Sequence, residues 1–126
     1  VVGSANHGLL VLCGFTDGDT PEKARFMAER LSKMRIFPDE NGKLNRSVVD
    51  EKGEVLIVSN FTLYADCSHG TRPDFSKAMK RLDAKPIYDE FVRRMSEFVP
   101  VGTGMYGEHM ELSIYSDGPI TVVFDK

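Results

Sequence analysis

The sequence contains no tryptophan, only two cysteines and three histidines, and no initiator methionine. It also lacks any apolar run near the roughly 20 residues that a bilayer span needs. Each absence removes a class of function. Without a spanning segment, secretory h-region or transit peptide, no membrane partner is expected and the cytoplasm is the expected location. Cys13 and Cys67 stand far apart, with Cys13 inside an apolar run, so free thiols in a reducing compartment are the simplest reading, with a disulfide left open. His7, His69 and His109 are scattered, and Cys67-x-His69 supplies two ligands where a zinc site needs three or four, so neither metal nor cofactor is expected. There is no Gly-x-Ser-x-Gly elbow and no phosphate loop, and neither cysteine sits where its thiolate would be favoured. A Ser or Thr acting with a distant His stays open, although no spacing argues for it.

What is present describes one compact domain over residues 1–126, 41% hydrophobic and 28% charged. A net charge of -3 argues against wholesale coating of nucleic acid. Between Ser68 and Arg94, however, seven Lys/Arg face four acids, a local +3 that would serve either as a solvated face or as a hold on a few phosphates. Gly8 to Phe15 reads as a buried strand, and Thr20-Pro21-Glu22 opens a helix whose apolar positions are Ala24, Met27, Ala28, Leu31 and Met34. Ile36-Phe37-Pro38 ends that helix near Arg35, and Asn41-Gly42 signals a hairpin. Val48-Val49 is expected to pair, across the Asp50–Gly53 turn, with a central strand beginning at Val55.

That strand, Val55-Leu56-Ile57-Val58, is long enough to be buried on both faces. It runs into Ser59-Asn60-Phe61-Thr62, where small hydrogen-bonding side chains sit at a strand end: a binding position, or merely a turn whose hydroxyls cap loose backbone. A loop from Cys67 to Ser76 follows. Pro86 is expected in the first turn of a second helix carrying Ile87, Phe91, Met95 and Phe98. Gly102-Thr103-Gly104 reads as a flexible link, and Met110 to Tyr115 and Ile120 to Phe124 read as two strands about a turn at Ser116–Pro119. The fold class is therefore α/β, with mixed, largely antiparallel sheets and two helices on one side.

Ser59-Asn60-Phe61-Thr62-Leu63 taken with Gly118-Pro119-Ile120-Thr121 resembles the two motifs of D-aminoacyl-tRNA deacylases. Other stretches in family order are Gly8–Leu12, Arg35–Phe37, Gly42–Asn45, Thr62–Asp66, Arg72–Phe75 and Gly107–Met110. Two positions depart from the family pattern, with Asn60 where Gln is usual and Ser116 where Asn is usual. The family also begins with a further strand, so the expectation is that residues are missing upstream of Val1.

The resemblance implies a three-layer α/β/β homodimer that hydrolyses the ester of D-aminoacyl-tRNA, and glycyl-tRNA as well, as a proofreading step. The backbone N–H groups of Phe61 and Thr62 would hold the oxyanion, which calls for no acidic or basic side chain, and the substrate's ribose 2′-hydroxyl would assist the attacking water. Ser59, Asn60, Phe61 and Tyr106 are the candidate substrate-binding residues; Phe61 would either wall the adenine or fill the core. Gly118 and Pro119, joined by a cis peptide in the family and inserted into the partner's site, would reject L-amino acids by main-chain contact. Competing readings are a relative with a trans Gly-Pro bond acting on L esters, a non-catalytic tRNA-binding dimer, and a serine-type hydrolase using Ser59 or Thr62.

Overall fold

The computed structural model describes residues 2–125. Its centre is a three-stranded sheet in the order β1-β4-β5, built from β1 (Gly8–Cys13), β4 (Glu54–Ser59) and β5 (Val101–Thr103). Both pairings are parallel: Leu10 lies opposite Leu56, and Leu56 opposite Gly102. A parallel neighbour requires a crossover, and the two helices supply them: α1 (Pro21–Lys33) between β1 and β4, α2 (Arg81–Met95) between β4 and β5. The strands step in one direction across the sheet, so two crossovers of the same hand put both helices on the same face.

That face holds the core. Val55 and Ile57 of β4 are fully buried beneath Ala24 and Ala28 of α1 and Ile87, Phe91 and Met95 of α2. Burying each large aliphatic side chain contributes about 1.5–3 kcal/mol. On α1 the buried positions Ala24, Ala28 and Ser32 recur every fourth residue, a stripe of small side chains that lets α2 approach closely. The Thr20 hydroxyl accepts the Lys23 N–H at 3.2 Å and Pro21 takes the first helical position, so the helix starts where the sequence signals it.

Five expectations need correction. The principal sheet is parallel, and the antiparallel pairing of named strands is confined to β2 (Phe37–Pro38) with β3 (Leu44–Arg46). Between them the Asp39 carboxylate accepts the N–H groups of Asn41 and Lys43, making a wider loop than a two-residue turn. Val48-Val49 forms no strand. Ser47 and Asp50 cap each other reciprocally, closing a turn that drops Val48 into the core. Gly102-Thr103 is not a link but part of β5, and Gly102 lets the Ser4 backbone approach, since a Cβ there would lie 2.7 Å from the Ser4 carbonyl oxygen. Helix α2 begins at Arg81, so Pro86 lies within it; the carbonyl deprived of its donor belongs to Leu82, which is 84% exposed and open to water.

A sixth concerns the C-terminal segment. Among the described residues no strand follows Thr103, although residues 110–115 alternate in polarity and 120–124 are mostly apolar. Most of their apolar members are exposed, Ile114 at 60% and Val123 at 87%, because no neighbouring strand among the described residues receives their backbone groups; Met110 and Phe124 are half-buried.

Candidate active site

In a parallel sheet the carboxyl ends of adjacent strands open onto the same edge, and the chain leaves each one through a loop able to line a common crevice. Here Cys13-Gly14 at the end of β1, Ser59-Asn60-Phe61 at the end of β4, and Tyr106-Gly107 just beyond β5 together line a cavity of about 710 Å³. The start of α2 closes its rim with Arg81.

The central strand turns sharply at its end. Asn60 N–H donates to the Cys13 carbonyl at 2.7 Å, the last backbone tie to β1, and residues Phe61–Tyr64 then wind into a short 3-10 helix. Asn60 caps it: its side-chain oxygen accepts the Thr62 N–H at 3.3 Å and also the Thr62 hydroxyl in a very short contact. The Phe61 N–H finds no acceptor among the described residues. Phe61 itself is 59% exposed and meets Phe75 edge-on, with ring centroids 5.2 Å apart. Core filling is thereby excluded for Phe61 in this chain.

Tyr106 enters from the segment after β5. Its hydroxyl donates to the Arg81 carbonyl at 2.7 Å, and its ring lies 4.9 Å from that of buried Tyr88, with the Lys85 ammonium 5.4 Å from its centroid. Tyr88 donates in turn to the Ile57 carbonyl of the central strand at 3.3 Å, and burial pushes its hydroxyl up to about 12. A chain of contacts thus runs from β4 through α2 to the cavity wall. Ser59 completes it by accepting the Gly107 N–H at 3.2 Å. Gly107 has φ +70°, the left-handed region that favours glycine, and a Cβ there would lie 2.3 Å from Arg81 Nε and push that side chain aside.

Of the expected site residues, Ser59, Asn60, Phe61 and Tyr106 come together around one cavity; Thr62 stands behind it, tethered to Asn60. Gly118 and Pro119 do not line this cavity in their own chain. Their peptide bond is cis, and both lie exposed on the C-terminal segment. The sequence reading missed Cys13, Arg81 and Glu108 as lining residues. Burial pushes the Cys13 thiol up to about 12, which keeps it protonated at neutral pH and unfit as a nucleophile. Arg81 and Glu108 form an exposed ion pair at 3.5 Å across the rim.

Beside the cavity, the loop after the 3-10 helix is folded on itself. Asp66 and Asp74 exchange backbone hydrogen bonds at 2.7 and 2.9 Å, and Ser68 donates to the Asp66 carboxylate through both its hydroxyl and its N–H. Those donors, with the Lys77 ammonium 3.4 Å away, hold the Asp66 carboxyl down at about 2. Phe75 is presented to Phe61 from this pinned loop.

Among the described residues, no three His, Cys, Asp or Glu side chains gather as a metal site, and no helix is long and apolar enough to cross a membrane. A family profile described as D-Tyr-tRNA(Tyr) deacylase matches residues 1–125. The chain belongs to this family. Among curated relatives, the D-aminoacyl-tRNA deacylase of Desulforudis audaxviator (strain MP104C) is 49% identical over 99% of this chain and 85% of its own length. That of Thermosipho africanus (strain TCF52B) is 46% identical over the same shares. Among solved structures, the c-Myc DNA Unwinding Element Binding Protein superposes with a TM-score of 0.85 at 34% identity, over 94% of this chain and 81% of that one. A probable eukaryotic D-amino acid tRNA deacylase, at 20% identity and a TM-score of 0.76, shares the fold. Membership in the deacylase family gives the cavity at the strand ends a chemistry to be tested.

Proposed function

We propose that this protein hydrolyses the ester joining a D-amino acid to the 3′-terminal adenosine of tRNA. The observation that carries the reading is the cavity at the carboxyl ends of β1, β4 and β5, lined by Ser59, Asn60 and Phe61, in a chain that belongs to the deacylase family. Water adds to the ester carbonyl carbon, and the carbonyl electron pair moves to oxygen. The backbone N–H of Phe61, which is open, holds that oxyanion; the Thr62 N–H, the second donor the family resemblance implies, is taken up by the Asn60 side chain and would have to be released to join it. As the C–O bond breaks, the water's proton passes through the ribose 2′-oxygen to the departing 3′-oxygen, leaving free amino acid and tRNA. Neither titratable nucleophile nor metal enters the scheme.

Phe61 and Tyr106, an exposed ring and a braced ring that both line the cavity, wall the terminal adenosine. The chiral filter is Gly118-Pro119, delivered by a second copy of the chain, which makes the active protein a homodimer. Support comes from the apolar side chains left in water near that motif: Leu112, Ile114, Tyr115, Ile120, Val122 and Val123. Pairing these segments across a twofold axis would add the further layer of sheet that the family resemblance implies. The small hydrogen of glycine passes the same filter, so glycyl-tRNA is a substrate too, and the cytoplasm, where aminoacyl-tRNA is made, is the site of action.

The test is release of amino acid from D-Tyr-tRNA, L-Tyr-tRNA and Gly-tRNA in parallel, with sedimentation of the protein alongside. Turnover of the D and glycyl esters by a dimer is the expected result. Survival of the D ester would overturn the reading, and cleavage of the L ester would remove the chiral role of Gly118-Pro119.

A further inference from the structure

The rim of the cavity carries positive charge that the fold scarcely uses. Residues 77–80 are tied to the end of β1, where the Thr16 hydroxyl donates to the Lys77 carbonyl at 2.5 Å and the Met79 N–H donates to the Phe15 carbonyl at 2.8 Å. Ala78, Met79 and Arg81 line the cavity, with exposed Lys80 between the last two. Lys80 makes no ion pair among the described residues. The Arg81 guanidinium meets the Glu108 carboxylate at 3.5 Å, with the two side chains 60% and 58% exposed. A pair so long and so open to water holds its members weakly. Lys85, one turn along α2, is by contrast committed to Asp89 at 2.6 Å.

Contacts lead outward from the end of β4 to this guanidinium. Half-buried Ser59 accepts the N–H of exposed Gly107, and the missing side chain of Gly107 is what leaves room for Arg81 Nε over the turn. An adenosine whose 3′-ester lies at the strand end directs its 5′-carbon the other way, because O3′ and C5′ project from opposite faces of the ribose. The 5′-phosphodiester, which joins that adenosine to the rest of the tRNA, therefore leaves through the mouth of the cavity. A guanidinium presents paired N–H groups in one plane, a match for two phosphate oxygens.

We propose that Arg81, flanked by Lys80, is a substrate-binding residue that holds the phosphodiester 5′ to the terminal adenosine. The guanidinium exchanges the Glu108 carboxylate for two phosphate oxygens, and no covalent bond is made or broken. This rests on the deacylase reading above and adds to it a preference for a nucleotide over a nucleoside ester. The brace on Tyr106 uses the backbone carbonyl of Arg81, so replacing the side chain leaves that wall of the cavity in place.

The test compares two D-tyrosyl esters of adenosine, one with a free 5′-hydroxyl and one whose 5′-oxygen carries a methyl phosphodiester, on wild type, Arg81→Gln and Arg81→Lys. The preference in kcat/KM for the phosphodiester should fall roughly 3- to 10-fold in Arg81→Gln. The change should lie in KM, because the phosphate is held equally in the ground and transition states. Arg81→Lys should recover part of it, keeping the charge without the paired geometry. A ratio of two substrates on one preparation cancels any loss of folded protein. Glu108→Gln, which frees the guanidinium, should lower KM for the phosphodiester about twofold. With D-Tyr-tRNA, the slope of log KM against log salt should fall by about 0.7 in Arg81→Gln, the value for one phosphate contact on a single strand. An unchanged substrate preference, an unchanged salt slope, or a loss confined to kcat would overturn the proposal while leaving the deacylase reading intact. A wild-type chain inert toward D-Tyr-tRNA and both small esters would overturn both.

Discussion

Tyr106 carries two separable contributions, and two substitutions pull them apart. Its hydroxyl ties the turn after β5 to the first residue of α2 through a 2.7 Å bond to the Arg81 carbonyl. Its ring packs 4.9 Å from Tyr88 and walls the cavity. Tyr106→Phe deletes only the first. The bond is neutral and partly exposed, so the loss is about 0.5–1.5 kcal/mol, and the melting temperature should fall by about 2–6 °C for a chain of this size. The ring remains, and KM for D-aminoacyl-tRNA should move by less than about threefold. Tyr106→Leu keeps apolar volume against Tyr88 but removes the planar face. If that face stacks on the terminal adenine, the loss is about 1–3 kcal/mol of binding, a rise in KM of roughly 5- to 150-fold. Differential scanning fluorimetry and steady-state deacylation on the same preparations give both numbers. A Leu variant with wild-type KM, or Phe and Leu variants equally impaired in KM, would refute a stacking role for the ring.

Two further outcomes follow from the geometry. Gly118 sits at φ +123°, and a Cβ added there would lie 3.0 Å from Ile120 N, so Gly118→Ala should displace the motif at a local cost of about 1–3 kcal/mol; D-ester kcat/KM should fall at least about tenfold with little change in melting temperature, because the segment is exposed, and unchanged kinetics would count against the motif's role. Asp66 is held at about 2 in the folded chain, below its ordinary 3.8, so the stability it contributes is present above pH about 4 and lost as pH falls through about 2; the melting-temperature gap between wild type and Asp66→Asn should be widest near neutrality and close over that window, and a gap independent of pH would show that the Ser68 and Lys77 contacts do not hold the loop.

How much of this was legible in the sequence depends on whether the signal is local. Helix α1 is written in three adjacent residues, Thr20-Pro21-Glu22, whose capping chemistry acts within one turn, and the structure starts the helix there. The central strand is equally plain, since an unbroken run of β-branched and aliphatic residues has few places to go but the middle of a sheet. Pairing is not local. Nothing in Val55–Val58 says whether its neighbours run parallel or antiparallel, and the plausible short-range partner, Val48-Val49, is captured instead by the Ser47-Asp50 cap. The C-terminal alternation shows the converse, that a pattern suited to a strand makes none without a neighbour to bond.

The site follows the same division. Ser59-Asn60-Phe61-Thr62 stands out because small polar side chains interrupt a buried strand at its end, and that local break is what the 3-10 turn uses. The wall beyond β5 was hidden because that strand contains Gly102 and is followed by Gly104, which read as linker; yet Gly104 leaves room for Met110, whose sulfur would lie 2.3 Å from a Cβ placed there. Once Val101–Thr103 is recognised as a third parallel strand, the rule that crevices form at strand carboxyl ends points directly at Tyr106 and Gly107. Arg81 and Cys13 then need no motif at all, because the one begins the helix that returns from β4 to β5 and the other ends the strand beside it. Their places in the cavity are set by topology, so no window of the sequence around either residue could have shown them.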